Sequence, residues 1–481
     1  MTLAVCATLA LAGSGAFGAG GASASGCGGF EAPCSSETAQ QFVAHSVQRQ
    51  DTPNDPNYDQ AEPDTQQPPG NRSSNFYDER FDLFGFPSEL TTSATYAVGP
   101  NAGKPQVAGF NAAGAWKAER GRPDVVVAIL DTGIDWSSQG LRTQVHLNTG
   151  ELPYPERADG SSCETYECVK SAGGDGEAGV INVEDFRQDP RVSLSYPGRI
   201  GPGGLITAQD LIHAFGDCEI SPSTHLIVQC VPGQHFDNDH NGYANDIAGW
   251  NFFDNNNDPT DLSSYFAAHH HGTGRANDAV ERGNDGQGSI GVCPHCQVTP
   301  IRIWDTFVSD ANTFALGITY ATDNGVKVIE GANGSLYHSA FAEAASRYAY
   351  EHGVVQTFSG NDLNTGNHNY PANYSHAMLI EGTVPDTAGL GKANKEWLEG
   401  QKLCGAAGQP VCFGSNAPVA SFFRGANTTQ YGGKSSISME GATGSVNTSK
   451  AAGAAALVVS AGLDHGVALR PDETRALLEQ T

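Results

Sequence analysis

The chain has 481 residues, with 59 glycines, 25 prolines and 16% charged side chains, so it can bury a large core and must thread many turns and surface loops. Its 53 acidic residues against 26 basic ones leave a formal charge of −27. That balance argues against nucleic acid and anionic membrane as partners and fits bound cations and an exported protein.

Leu3 to Ala12 is an apolar run followed by small residues up to Ala22-Ser23-Ala24, an A-x-A cleavage pattern. Residues 1–24 therefore read as a signal peptide, although a basic stretch at its start is lacking. A cell-surface lipoprotein acylated at Cys27 is the weaker alternative, because Ala24 stands where Leu is usual and Cys34 would be orphaned. No later apolar run is long enough to span a bilayer, so no stable membrane insertion is expected after signal removal.

The ten cysteines beyond Cys6 fall in close pairs: Cys27 and Cys34, Cys163 and Cys168, Cys218 and Cys230, Cys293 and Cys296, Cys404 and Cys412. An even count in an exported chain reads as disulfides, without fixing their connectivity. Cys293-Pro294-His295-Cys296 also fits a redox pair or half a zinc site. With no second CxxC to complete four ligands, a local staple is favoured.

Residues 25–105 read as an N-terminal arm or linker, polar and without periodicity from Gln48 to Asn75. A folded domain is expected over 106–481, opening on a short helix near Gln106–Trp116. Val125–Leu130 is an unbroken apolar run, the pattern of a central parallel strand, and it ends in Asp131-Thr132-Gly133. Ligands of open α/β sheets bind at the carboxyl ends of strands, which puts Asp131 in a functional position.

The irregular stretch at about 137–268 reads as an insertion. Near its end, Asp237, Asp239 and Asn241 occupy positions 1, 3 and 5 of an EF-hand-like loop, with Gly242 at position 6 and Tyr243 next. The Glu of position 12 is replaced by Ala248, and Asp246 is the candidate to fill the gap. The expected ligand set is thus Asp237, Asp239, Asn241, Tyr243 and Asp246 for a structural Ca2+; a solvated acidic loop is the plain alternative. No organic cofactor is expected.

His269-His270-His271 precedes Gly272-Thr273 and resembles the entry to a helix, although three histidines also fit a surface metal tract. Strands are expected at 298–304, 326–329 and 353–358, with a helix at 340–349 between the last two. Strands alternating with helices indicate an α/β fold with a mostly parallel sheet. The turn Gly441–Gly444 leads into a helix of small apolar residues that must be buried all round, with Ser445 at its start. There, free backbone N–H groups and the positive end of the helix dipole converge. A Pro-started amphipathic helix closes the chain from Pro471.

Asp131, His271, Asn361 and Ser445 supply the parts of an acyl-transfer site. Serine needs a base, histidine can serve near neutral pH, and a carboxylate fixes the imidazole tautomer. Asn361 and the Ser445 N–H can donate to an oxyanion; one such donor typically contributes roughly 3–4 kcal/mol to transition-state stabilisation.

These motifs, in the order Asp, His, Ser, resemble the subtilisin-like (subtilase) serine peptidase family. Val127–Asp135 is similar to its Asp motif, His271-Gly272-Thr273 to its HGT, Gly291–Pro294 to its G-V-A-P and Ser359-Gly360-Asn361 to its A-G-N. Tyr370–Tyr374 and the arm-like Asn54–Tyr58 add to the likeness. The resemblance implies a three-layer α/β sandwich and a secreted endopeptidase acting on proteins or peptides through an acyl-enzyme, with calcium on surface loops. Ala332-Asn333-Gly334 would stand for the S-L-G segment lining the family's substrate cleft, with Glu330 nearby. The G-T-S-M-A-x-P motif departs to Thr443-Gly444-Ser445-Val446-Asn447-Thr448-Ser449, losing its Pro, though the step from Ser445 to Gly453 keeps the family's register. That departure supports a second reading, a catalytically impaired, calcium-stabilised peptide-binding surface protein of the same fold.

Overall fold

In a computed structural model the described residues are Asp55, Leu83, Phe110, 112–165, 180–263, 270–305, 310–360, 369–385, 423–425, 435–440 and 444–480. Asn361, His269, Cys27, Cys34, Cys168, Cys404, Cys412 and nearly all of the signal and arm segments lie outside them.

In chain order the elements are α1 (Ala112–Ala115), β1 (Val126–Asp131), α2 (Ala208–Phe215), β2 (Cys218–Ile220), β3 (Ile227–Cys230), β4 (Trp250–Asn251), α3 (His271–Val280), β5 (Gln297–Arg302), α4 (Ala311–Asp323), β6 (Val328–Gly331), α5 (Ala340–Glu351), β7 (Val355–Ser359), β8 (Met378–Pro385), β9 (Phe423–Gly425), β10 (Ser435–Glu440), α6 (Gly444–Asp464) and α7 (Pro471–Leu478). The main sheet runs β10-β8-β7-β6-β1-β5-β4, parallel throughout, with β9 antiparallel on β8. β1 is buried at all six positions, which is why its sequence shows no alternation.

Successive strand residues face opposite sides, so the two apolar faces of the sheet form separate cores. Val127, Ile129, Val328 and Val355 face the side of α3 and α6. Ala128, Leu130, Ile329 and Phe358 face the side of α4 and α5. The result is a three-layer α/β sandwich. The stretch between the Asp and His motifs shares the main core through Leu141, Val145, Leu152, Phe186, Leu211 and Phe215, and it supplies edge strand β4. Its hairpin β2–β3 is stapled by Cys218–Cys230, while Cys293–Cys296 closes the turn before β5. Cys163 is also disulfide-bonded.

Helix ends are marked by local chemistry. Asp310 caps α4 by accepting from the Asn312 and Thr313 amides, and Thr207 and Asp210 form a capping box on α2. Long α6 is built of small residues because it crosses the sheet and α3 at close range. A Cβ at Gly453 would lie 2.7 Å from the Ala279 carbonyl oxygen. Asp55 of the arm accepts from the Asn284 and Asp285 amides just beyond α3, which ties one point of the arm to the domain. No helix among the described residues is long and apolar enough to cross a membrane.

Candidate active site and carboxylate cluster

β1 is flanked by β5, reached from one side, and by β6 on the other, so the strand order reverses at the gap between β1 and β6. Such a reversal opens a crevice at the strands' carboxyl ends. Asp131 ends β1 and Ala332 follows β6, placing both at its rim.

Asp131 is fully buried and accepts the Thr132 amide at 2.7 Å. His271 opens α3, and its Nδ1 lies 2.8 and 2.9 Å from the two Asp131 carboxylate oxygens. An Nδ1–H donating there leaves Nε2 as the basic nitrogen. The helix start is clamped to the strand end: the Gly272 amide donates to Thr132 Oγ1 at 2.9 Å, and the Asp135 amide donates to Thr273 Oγ1 at 2.7 Å. Thr132 Oγ1 in turn donates to buried Asp261 at 2.9 Å. Gly272 is required by this approach, since a Cβ there would overlap the Gly133 carbonyl oxygen. Trp304 packs edge-on to the imidazole at 5.5 Å between centroids, fixing the ring plane.

Ser445 is the second residue of α6 and is 7% exposed. Its hydroxyl donates to the Ala332 carbonyl at 3.2 Å. Ala332 and Asn333 are buried, the Asn333 side chain turned inward to donate to the Leu130 carbonyl at 2.8 Å, and the segment runs on into a short antiparallel bridge between Ser335 and Tyr370. Gly334 packs against Asn369. Ala332-Asn333-Gly334 thus lies beside Ser445 at one end and joins a second extended segment at the other.

Two charged residues at this site carry no signal in the motifs. Arg275, one turn beyond His271, brings Nη1 to 3.5 Å from His271 Nε2 while Nη2 pairs with Asp278 at 2.7 Å. Glu330 is fully buried on β6, the strand paired beside β1 and its Asp131. Burial, with the Asp131 charge adding to it, pushes its carboxyl well above the ordinary range.

Two carboxylates of the expected EF-hand-like set meet a third from another segment. Asp239 and Asp246 converge with Glu151, one oxygen or more of each lying within 4.8 Å of the others. Glu151 sits in a short 3-10 turn capped by Asn148, and Asn148 Nδ2 donates to both Asp239 and Asp246 at 2.9 and 2.8 Å. Asn241 reaches the same cluster, its Nδ2 donating to Asp246 at 3.1 Å and to Asp239 at 3.3 Å. Asp237 caps its own turn by accepting the Asn241 and Gly242 amides at 3.1 and 3.0 Å. The Asn241 side-chain oxygen accepts the Tyr243 amide at 2.8 Å, and the Tyr243 ring packs on Trp250, Phe252 and Tyr320. Loop spacing alone points to a single-loop cage, whereas the third carboxylate comes from Glu151, 88 positions before Asp239. Burial and then the neighbouring Asp246 charge push the Glu151 carboxyl up to about 8; burial foremost, with Asp239 adding, pushes Asp246 up to about 7. Carboxyls held together in this way favour either a shared proton or a cation. The cluster opens on a cavity of about 280 Å³ lined by His146, Asn148, Asp246, Thr299, Tyr320 and Asn324.

The model of the subtilase family of peptidases matches residues 122–481. The chain belongs to the subtilase family. Among its relatives, thermitase of Thermoactinomyces vulgaris is 35% identical over 139 residues, which is 28% of this chain and 47% of thermitase. Fervidolysin of Fervidobacterium pennivorans is 37% identical over 127 residues, 24% of this chain and 18% of fervidolysin. The aligned part of this subtilase thus spans less than half the length of either relative. Of the solved structures similar to it, sphericase superposes with a TM-score of 0.38 at 15% identity, covering 75% of this chain and 83% of sphericase.

Proposed function

We propose that this subtilase is an exported serine endopeptidase in which Ser445 is the nucleophile, His271 its general base and Asp131 the group that orients the imidazole. The observation that carries this reading is the double contact of His271 Nδ1 with the buried Asp131 carboxylate at 2.8 and 2.9 Å. It sets the tautomer that makes Nε2 the basic nitrogen.

In the reaction the Ser445 hydroxyl turns from the Ala332 carbonyl toward His271 Nε2 and attacks the scissile carbonyl as the imidazole takes its proton. The negative charge that develops on the substrate oxygen would meet the Ser445 backbone N–H at the helix start, with Asn361, outside the described residues, as the expected second donor. His271 then gives the proton to the departing amine, leaving an acyl-enzyme on Ser445. A water, deprotonated by the same imidazole, releases the acid product. Ala332-Asn333-Gly334 would present backbone to an extended peptide substrate, and proteins or peptides are therefore the expected partners. Glu151, Asp239 and Asp246 would hold a Ca2+ ion, whose charge relieves the repulsion among three crowded carboxylates and ties the Asn148 turn to the Asp237–Asp246 loop. Disulfides and the signal-like N-terminus support secretion.

The decisive experiment is labelling of the purified protein with a fluorophosphonate probe beside Ser445→Ala. Labelling lost in the variant is expected. A second reading, peptide binding without cleavage, draws on the Ser445 hydroxyl's contact with Ala332 and on Arg275 near His271 Nε2. A folded sample that takes no label would favour it.

A further inference from the structure

Taking Ser445 as the nucleophile, we infer that Glu330 is a positioning residue that keeps its proton and, through Ser449, ties strand β6 to the first turn of the helix carrying Ser445. Glu330 is paired in register with Ile129 of β1 and Thr357 of β7, so it lies in the middle of the sheet. Its side chain shares the face of Val328, toward α3 and α6, and is completely enclosed. Oε1 lies 2.9 Å from Ser449 Oγ, and Oε2 has no hydrogen-bond partner among the described residues. Ser449 follows Ser445 by one turn, and the same Oγ is 3.1 Å from the Ser445 carbonyl oxygen.

The proton count decides between the two forms of the carboxyl. A hydroxyl has one hydrogen. If Glu330 were ionised, that hydrogen would face two acceptors at once, the carboxylate and the Ser445 carbonyl. A buried carboxylate would then be left with at most one donor where several are needed. If Glu330 is neutral, it donates to Ser449 Oγ and Ser449 donates to the Ser445 carbonyl, so each contact has its own proton.

The charged groups around Glu330 agree. Asp131 faces it from β1, and Arg275 and Asp278 act from α3. Arg275 is already paired with Asp278 at 2.7 Å. α6 offers Ser449, and on β7 the Thr357 hydroxyl donates to the Ile329 carbonyl at 3.3 Å. The Ser449 that completes this chain occupies the position where the family motif has Pro, a residue with no hydroxyl to donate.

The test combines a spectroscopic and a kinetic measurement on the full chain. Infrared difference spectra of wild type minus Glu330→Gln at pH 7 should show a protonated carboxyl band; a carboxylate band instead would overturn the proposal whatever the enzymatic activity. Fluorophosphonate labelling of wild type establishes the nucleophile separately. In variants whose melting curves show a folded protein, Glu330→Met should lower kcat roughly tenfold or more at little-changed KM. Glu330→Gln, which can still donate to Ser449, should recover most of that loss. Recovery absent in a folded Glu330→Gln would mean that a charge is required and would likewise overturn the proposal.

Discussion

Arg275 Nη1 stands 3.5 Å from His271 Nε2, the nitrogen proposed to accept the Ser445 proton. Both residues lie on α3, one turn apart, and Arg275 is held in place by Asp278. A guanidinium is always a donor, so it competes with serine for the imidazole lone pair. Replacing it with Met should remove a contact of about 1 kcal/mol and raise the rate of fluorophosphonate labelling about fivefold. Stopped-time labelling of wild type and Arg275→Met checks this; a slower variant would mean that Arg275 assists the site.

Gly272→Ala tests how tightly the histidine is positioned. The added Cβ would meet the Gly133 carbonyl oxygen and lie 3.1 Å from the Asp131 Cβ, so α3 must move away from β1. A displacement on the order of 1 Å at reacting groups can cost about 100-fold in rate. The expected outcome is a loss of that order in kcat, with KM little changed and stability lowered by about 1–3 kcal/mol. Steady-state kinetics and a urea melt separate the two effects.

Calcium should stabilise the fold by binding the native state alone. At a free concentration about 100 times Kd the gain is about 2.7 kcal/mol. Chelation should therefore lower Tm, and Glu151→Gln should shrink the difference between calcium-loaded and chelated samples. Differential scanning calorimetry of both proteins decides it. A Glu151 variant with the full calcium response would remove Glu151 from the site.

What could be read from the sequence follows from how each feature is encoded. β1 was legible because burial on both faces leaves an unbroken apolar run, and α6 because only small residues allow the close crossing at Gly453. α4 was not read: its Asn, Thr and Gly residues blur the helical period, although Phe314, Ile318 and Tyr320 bury its inner face. β8 and β10 were missed as well, and β10 reads Ser-Ser-Ile-Ser-Met-Glu, too polar to announce a strand inside a sheet. Asp131 and His271 could be paired from motifs, since each closes or opens an element. Glu151 could not, because its place in the carboxylate cluster depends on a turn brought in from a distant segment. Asp237 and Asn241 have the spacing of a metal loop; in the fold both accept backbone amides of the same turn, and Asn241 Nδ2 also donates to Asp239 and Asp246. Arg275 and Glu330 acquire meaning only from packing between α3, β6 and α6.

A pH effect on stability follows from Glu119, far from the strand ends. Its Oε1 accepts the Gly121 amide at 2.6 Å, and burial, with the Asp464 carboxylate adding to it, pushes its carboxyl from the ordinary 4.5 up to about 7. A folded-state value raised above the unfolded one means that the native protein holds the proton more tightly. The associated stability is complete below pH 4.5 and is lost as pH rises through about 7. Glu119→Gln keeps the acceptor oxygen and cannot ionise. It should therefore match wild type at pH 4 and exceed it at pH 8 by about 1 kcal/mol, a figure reduced from the full shift because the group is partly solvated. Chemical denaturation at the two pH values measures the difference. An equal gain at both would assign the effect to packing; no gain at pH 8 would place the Glu119 carboxyl in the ordinary range.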